Sequence, residues 1–231
     1  MHLYLYGIGQ GVLHPITQGE WEVTDFVGLR GDKVYYISTE SSPLKRDLYR
    51  VGLDGKHKER LTPGDGYYSI YPSADLSYYI CEGGDSSAPG RTDVFNAAGK
   101  RVRTLYDNAP LKEALVEAGL PVREFFTFTT ERGDELNGYM LKPLDFDPAK
   151  RYPVLLTQYS GPGSQQVAEG WGPDWEDALV THGYIVVCVD PRGTGYRGEE
   201  FKKLTYGNLG RLEVEDQIST ARYMARQSYV D

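Results

Sequence analysis

Val34-Tyr35-Tyr36-Ile37, Asp47-Leu48-Tyr49-Arg50, Leu53-Asp54-Gly55-Lys56 and Arg60-Leu61-Thr62 return in the same order as Ser77-Tyr78-Tyr79-Ile80, Asp93-Val94-Phe95-Asn96, Ala98-Gly99-Lys100 and Thr104-Leu105-Tyr106. Matching positions are 43 to 46 residues apart, from Val34 and Ser77 at one limit to Asp47 and Asp93 at the other. A repeat of about 40–50 residues with several short strands and a Gly-containing hairpin per unit predicts β-propeller blades, because no such unit can bury both of its faces alone. Two blades do not close a ring, and His2-Leu3-Tyr4-Leu5-Tyr6 reads as a strand from a preceding blade. The nineteen tyrosines fit this reading, since a flat apolar body with a polar tip suits half-buried strands.

The rhythm changes near Asn108-Ala109-Pro110. Leu111, Ala114, Leu115 and Ala118 have helical spacing and end at Gly119. A strand then runs through Phe125 to Thr129, turns at Arg132-Gly133-Asp134 and continues from Leu136 to Leu141. The apolar run Pro153 to Tyr159 predicts a strand covered on both faces, and Tyr184 to Asp190 is the strongest buried strand in the chain. A helix is predicted from Trp175 to His182, with His182 capping it before Gly183. A longer helix is expected from about Leu212 to Gln227, with Val214, Ile218, Ala221 and Ala225 forming its apolar face. Strands alternating with helices predict an α/β arrangement here.

The 231 residues carry 33 acidic against 25 basic side chains, a formal charge of -8. That balance gives no electrostatic reason to expect a nucleic acid or an anionic membrane as partner. The first residues lack a basic segment followed by an apolar one, so no signal peptide is read, and no stretch approaches the ~18 apolar residues a bilayer requires. Cys81 and Cys188 lie far apart without His or Cys at metal spacing, which argues against a disulfide framework and a zinc site.

Three motifs stand in order: Tyr152-Pro153-Val154-Leu155-Leu156 leading to Tyr159-Ser160-Gly161-Pro162-Gly163-Ser164-Gln165, then Asp190-Pro191-Arg192-Gly193-Thr194-Gly195-Tyr196, then Leu209-Gly210 with Glu213-Val214-Glu215-Asp216-Gln217. Together with the preceding repeats they resemble the dipeptidyl peptidase IV branch of the prolyl oligopeptidase family. The resemblance implies propeller blades over residues 1–110, followed by the N-terminal part of an α/β-hydrolase domain over 111–231. It implies a serine exopeptidase, without a cofactor, that releases Xaa-Pro or Xaa-Ala dipeptides from the N-termini of peptide substrates. It also allows a homodimer and an extracytoplasmic location for the full-length protein.

That chemistry requires a Ser on a G-x-S-x-G elbow, followed by Asp and His. No G-x-S-x-G occurs in the 231 residues, and the family places its elbow after a further strand, so the triad is expected beyond Asp231. His2, His14 and His57 read as surface positions and His182 as a helix cap. Tyr159 matches the tyrosine whose phenol forms part of the oxyanion hole, and a core tyrosine at a strand end is the competing reading. Gly161, Pro162 and Gly163 are expected to shape the turn presenting it. Arg192 and Tyr196 read as loop anchors, and Glu213, Glu215 and Asp216 as solvated first-turn acids. Gly193-Thr194-Gly195 lacks both the lysine and the spacing of a phosphate cradle. The Glu-Glu pair that binds the substrate amine in the family has no counterpart in the first 110 residues, and the pair at Glu199-Glu200 lies elsewhere. A non-catalytic interaction module, an acylaminoacyl peptidase and an esterase are the alternatives.

Overall fold

The computed structural model describes residues 1–231, which divide into two compact units. The first comprises Met1–Ala109 with Ala168–Trp171 and Tyr196–Gly198; the second comprises the remainder.

In the first unit, β1 (Tyr4–Gly7) and β2 (Gly11–Pro15) form a two-stranded hairpin of their own. Two four-stranded antiparallel meanders follow: β3 (Val23–Arg30), β4 (Lys33–Ser38), β5 (Asp47–Gly52) and β6 (Glu59–Arg60), then β7 (Tyr67–Pro72), β8 (Tyr78–Gly84), β9 (Arg91–Asn96) and β10 (Arg101–Tyr106). The two stretches quoted first therefore occupy equivalent strands, β4 with β5 and β8 with β9. Successive side chains of a strand point to opposite faces, and the first meander buries both. Val34, Tyr36, Tyr49 and Val51 pack with Ile16 and Val23, while Tyr35 and Leu48 pack with Tyr68, Tyr79, Cys81 and Phe95 of the second meander. This explains why β4 and β5 show no polar alternation. Trp21, Tyr36 and Tyr49 stack in sequence, with centroids 6.2 and 5.7 Å apart, each pair contributing about 0.5–1.5 kcal/mol beyond its burial. Tyr68 and Tyr79 are buried in this packing, whereas Tyr78 is exposed.

Within this unit the segment after the second motif is firmly held. The Arg46 guanidinium lies 3.8 Å from the Tyr196 ring centroid, and the buried Glu22 carboxylate accepts from Gly198 N at 2.9 Å.

The second unit opens with α1 (Ala109–Ala118) and then β11 (Glu124–Thr129), β12 (Glu135–Leu141), β13 (Val154–Thr157), α2 (Trp175–Thr181), β14 (Ile185–Asp190), α3 (Glu199–Lys203) and α4 (Arg211–Ala225). Its sheet has the order β11-β12-β14-β13, in which only β13 and β14 run parallel. β14 is buried at every position, as its sequence requires. Within these 231 residues β13 pairs with β14 alone, Val154 and Leu156 pack into the core on one face while Leu155 on the other is exposed, and the strand ends before Gln158. One face of the sheet packs Phe128, Leu136, Met140, Ile185, Val187 and Val189 against Met224, with the Tyr223 ring stacked on Phe128 at 4.7 Å.

The face α4 buries differs from the one its apolar residues predict. Val214 and Ile218 are about half exposed, and Ala221 and Ala225 also face solvent. Asp216, Thr220 and Met224, spaced four apart, are buried. The reason is electrostatic. Arg192, itself buried, places two guanidinium nitrogens and its backbone N–H on the Asp216 carboxylate at 2.7 to 3.1 Å, so burying an acid here satisfies a buried cation. Asp216 is thus no solvated first-turn acid, whereas Glu213 behaves as expected and accepts from Gly210 N at 2.9 Å.

Candidate functional site

β13 delivers the chain to a tight turn at its C-terminal end, the edge at which parallel strands of α/β sheets place their sites. Tyr159 is the second residue beyond the strand and is 72% exposed. Within these 231 residues its hydroxyl makes no hydrogen bond, which leaves both donor and acceptor capacity for something else. Ser160 follows with φ 60°, a left-handed conformation that costs a non-glycine residue about 1–2 kcal/mol. Its hydroxyl donates to Gln158 Oε1 at 2.6 Å and helps hold that turn.

An open cleft of about 550 Å³ lies beside Tyr159, lined among others by Arg123, Gln158, Gln166, Trp175 and Glu176. Asp174 caps α2 and accepts from Trp175 N at 2.7 Å, while Asp177 returns a carboxylate to Asp174 N at 2.6 Å. This capping box leaves the Trp175 side chain 57% exposed and turns Glu176 inward. Glu176 is buried and accepts from Tyr139 Oη at 2.7 Å and Thr157 Oγ1 at 2.8 Å. Burial, with the nearby Cys188 and Glu176, pushes the Tyr139 phenol far above its ordinary range, so it remains a donor. Sequence reasoning missed Glu176. An acid in the first turn of a helix normally faces solvent and complements the dipole, and no pattern in the chain marked this one as different.

The motif residues come together around the turn. Gly163 N donates to Gly193 O at 2.9 Å and Gly195 N to Ser164 O at 2.8 Å. Asp190, buried at the end of β14, accepts from Gln166 N and Val167 N at 2.9 to 3.1 Å. Arg192 anchors its loop on Asp216 and also reaches Asp134 at 2.9 Å.

Glu199 is taken by Lys202 and Lys203. The His2 ring meets Thr17 Oγ1 and Gly19 O, and His14 lies against Pro15 O. His182 caps α2 through Ala178 O at 2.7 Å. None of the four imidazoles hydrogen-bonds a carboxylate. Burial foremost, and then Asp190, pushes the Cys188 thiol up to about 12, which makes it unreactive as a nucleophile near neutrality. No group of three or more His, Cys, Asp or Glu side chains is arranged to hold a metal ion.

Repeated antiparallel meanders followed by a mixed sheet find their counterpart in one class of proteins, the prolyl oligopeptidases. The comparisons with known proteins place the chain there. Residues 1–89 match the dipeptidyl peptidase IV N-terminal region and residues 171–231 match the prolyl oligopeptidase family. A probable dipeptidyl peptidase 4 of Emericella nidulans is 37% identical over the whole chain, and a probable dipeptidyl-aminopeptidase B of Aspergillus niger is 39% identical over 94% of it. The crystal structure of Porphyromonas gingivalis dipeptidyl peptidase 4 superposes over all of the chain with a TM-score of 0.94 and 41% identity. The chain belongs to the dipeptidyl peptidase IV branch of the prolyl oligopeptidase family. It spans 31% of the Emericella protein, 25% of the Aspergillus protein and 33% of the Porphyromonas structure.

Proposed function

We propose that the chain is the part of a serine dipeptidyl peptidase that joins the last blades of a β-propeller domain, residues 1–110, to the opening of an α/β-hydrolase domain, residues 111–231. The whole protein removes Xaa-Pro or Xaa-Ala dipeptides from peptide N-termini and acts as a homodimer. The division of compact units between Ala109 and Pro110 supports the domain reading, and the parallel β13–β14 pair linked through α2 supports the hydrolase assignment. No helix is long and apolar enough to cross a membrane.

The observation that carries the activity is Tyr159, a phenol exposed at the C-terminal end of β13 beside a cleft. Attack on a peptide carbonyl turns its oxygen into an anion. A donor fixed where that charge develops stabilises the transition state more than the substrate, and losing one such donor costs about 3–4 kcal/mol. Tyr159 fills this role, while the nucleophile, Asp and His are supplied outside these 231 residues. Purified full-length protein should cleave Gly-Pro-p-nitroanilide in preference to a short acyl ester, and Tyr159→Phe should lower kcat about 100- to 1,000-fold with little change in Tm. Preference for the ester would replace the peptidase reading, and an unchanged kcat would return Tyr159 to a structural role.

A further inference from the structure

The Tyr159 ring is exposed, yet its direction is dictated from below. A Cβ placed on Gly161 would lie 2.5 Å from Tyr159 Cε1 and 3.1 Å from Cζ, so the edge of the ring rests on the bare Cα of Gly161. Any other residue there must rotate the phenol away or shift the turn. Gly161 is held in turn by Ser164, whose backbone N–H and Oγ–H both donate to Gly161 O, at 3.0 and 2.6 Å. Ser164 and Gly163 are then fixed by the second motif through Gly195 N and Gly193 O. The approach is close enough that a Cβ on Gly195 would stand 2.5 Å from Gly163 O, and one on Gly193 would stand 2.4 Å from Thr205 Oγ1. Arg192, between these contacts and α4, is locked to Asp216 of the third motif.

We propose that the three motifs are one brace whose output is the direction of the Tyr159 phenol, with Gly161, Ser164 and Gly195 as positioning residues. The inference rests on the reading of Tyr159 as the oxyanion donor and deepens it. The spacing of the motifs follows from the brace: Asp216 holds Arg192, the Arg192 loop holds the 163–164 backbone, and that backbone seats Gly161 under the ring. A hydroxyl must sit within hydrogen-bond range of a developing charge, and a displacement of about 1 Å can cost a hundredfold in rate. A positioning defect should therefore appear in kcat, with the folded state and substrate affinity nearly unchanged.

The test is a double-mutant cycle in the full-length protein, with steady-state kinetics on Gly-Pro-p-nitroanilide and melting curves for every variant. Gly161→Ala is expected to lower kcat about 10- to 100-fold with KM changed less than about threefold. In a Tyr159→Phe background the same substitution should change kcat by less than about twofold, because the hydroxyl it misdirects is already gone. Ser164→Ala, which removes one hydrogen bond without adding bulk, should show the same background dependence at a smaller size, about three- to tenfold. Equal losses from Gly161→Ala or Ser164→Ala in both backgrounds would overturn the brace, as would unchanged kcat in Gly161→Ala where Tyr159→Phe is severely impaired. Unchanged kcat in Tyr159→Phe itself would remove the oxyanion reading and this inference together, a result distinct from the preceding two.

Discussion

In the first unit a buried phenol meets a backbone carbonyl of a neighbouring strand or turn: Tyr35 donates to Ala97 O at 3.2 Å, Tyr79 to Leu61 O at 3.1 Å and Tyr68 to Pro63 O. Even the fully buried Asp47 is satisfied within its own meander, by Arg60 at 2.8 Å and Thr62 at 2.5 Å. The second unit uses its buried carboxylates to tie loops to distant elements. Asp216 holds Arg192 across 24 residues, Asp190 holds Gln166 across 24, and Glu176 takes Tyr139 across 37. The contrast lies in the kind of partner and not in its distance along the chain: the phenols of the first unit meet neutral carbonyls, up to 62 residues away for Tyr35 and Ala97, whereas the second unit gathers its loops on buried carboxylates. A buried charge with several directional partners fixes them more rigidly than apolar packing alone.

That contrast can be broken most directly at Arg192. Arg192→Met leaves Asp216 buried without its cation, and denaturant unfolding should show a loss of about 3–5 kcal/mol. A loss below about 1 kcal/mol would mean the pair is no anchor. Tyr139→Phe removes one of the two donors on Glu176 and should cost about 1.5–3 kcal/mol by the same measurement, since the acceptor is a carboxylate. Its counterpart in the first unit, Tyr79→Phe, loses only a bond to a neutral carbonyl and should cost about 1 kcal/mol. Tyr36→Phe sharpens the comparison further. The Tyr36 hydroxyl is buried with no partner, so its removal should leave stability unchanged or slightly raised, and a loss above about 1 kcal/mol would reveal a partner that matters.

The smallest response is expected from the thiols. Burial pushes both Cys81 and Cys188 up to about 12, so at pH 8 neither should react with a disulfide reagent until denaturant is added. In the unfolded chain these thiols ionise near their ordinary value of about 9. Folding therefore keeps their contribution below that pH and loses it as pH rises from about 9 towards 12, with Tyr49 and Tyr68, also near 12, adding to the same alkaline decline. A pH series of unfolding curves checks the sign: a gain in stability over that window would contradict it.

How much was legible depended on the range of the interactions. The blade strands could be read because the repeat places Tyr35-Tyr36 and Tyr78-Tyr79 at equivalent positions and the partners of each strand are its immediate neighbours. α1, α2 and β14 announced themselves through short-range pattern, with His182 at its cap and unbroken apolar residues from Ile185 to Val189. The face of α4 could not be read, because Asp216 and Thr220 look polar until Arg192 is known to lie beneath them. Glu176 was concealed in the same way, since its donors Tyr139 and Thr157 come from other strands.

Of the candidate site, the sequence by itself determined the three motifs and their order, because residue types and local spacing are written in the chain, and it was their resemblance to a known family that drew attention to Tyr159. Tertiary structure alone decided that the phenol is exposed beside a cleft, that Gly161 lies under its ring, and that Arg192 closes on Asp216. Those facts depend on which loops meet in space, and the pairing of a buried charge with a partner 24 residues away leaves no periodic trace in either segment.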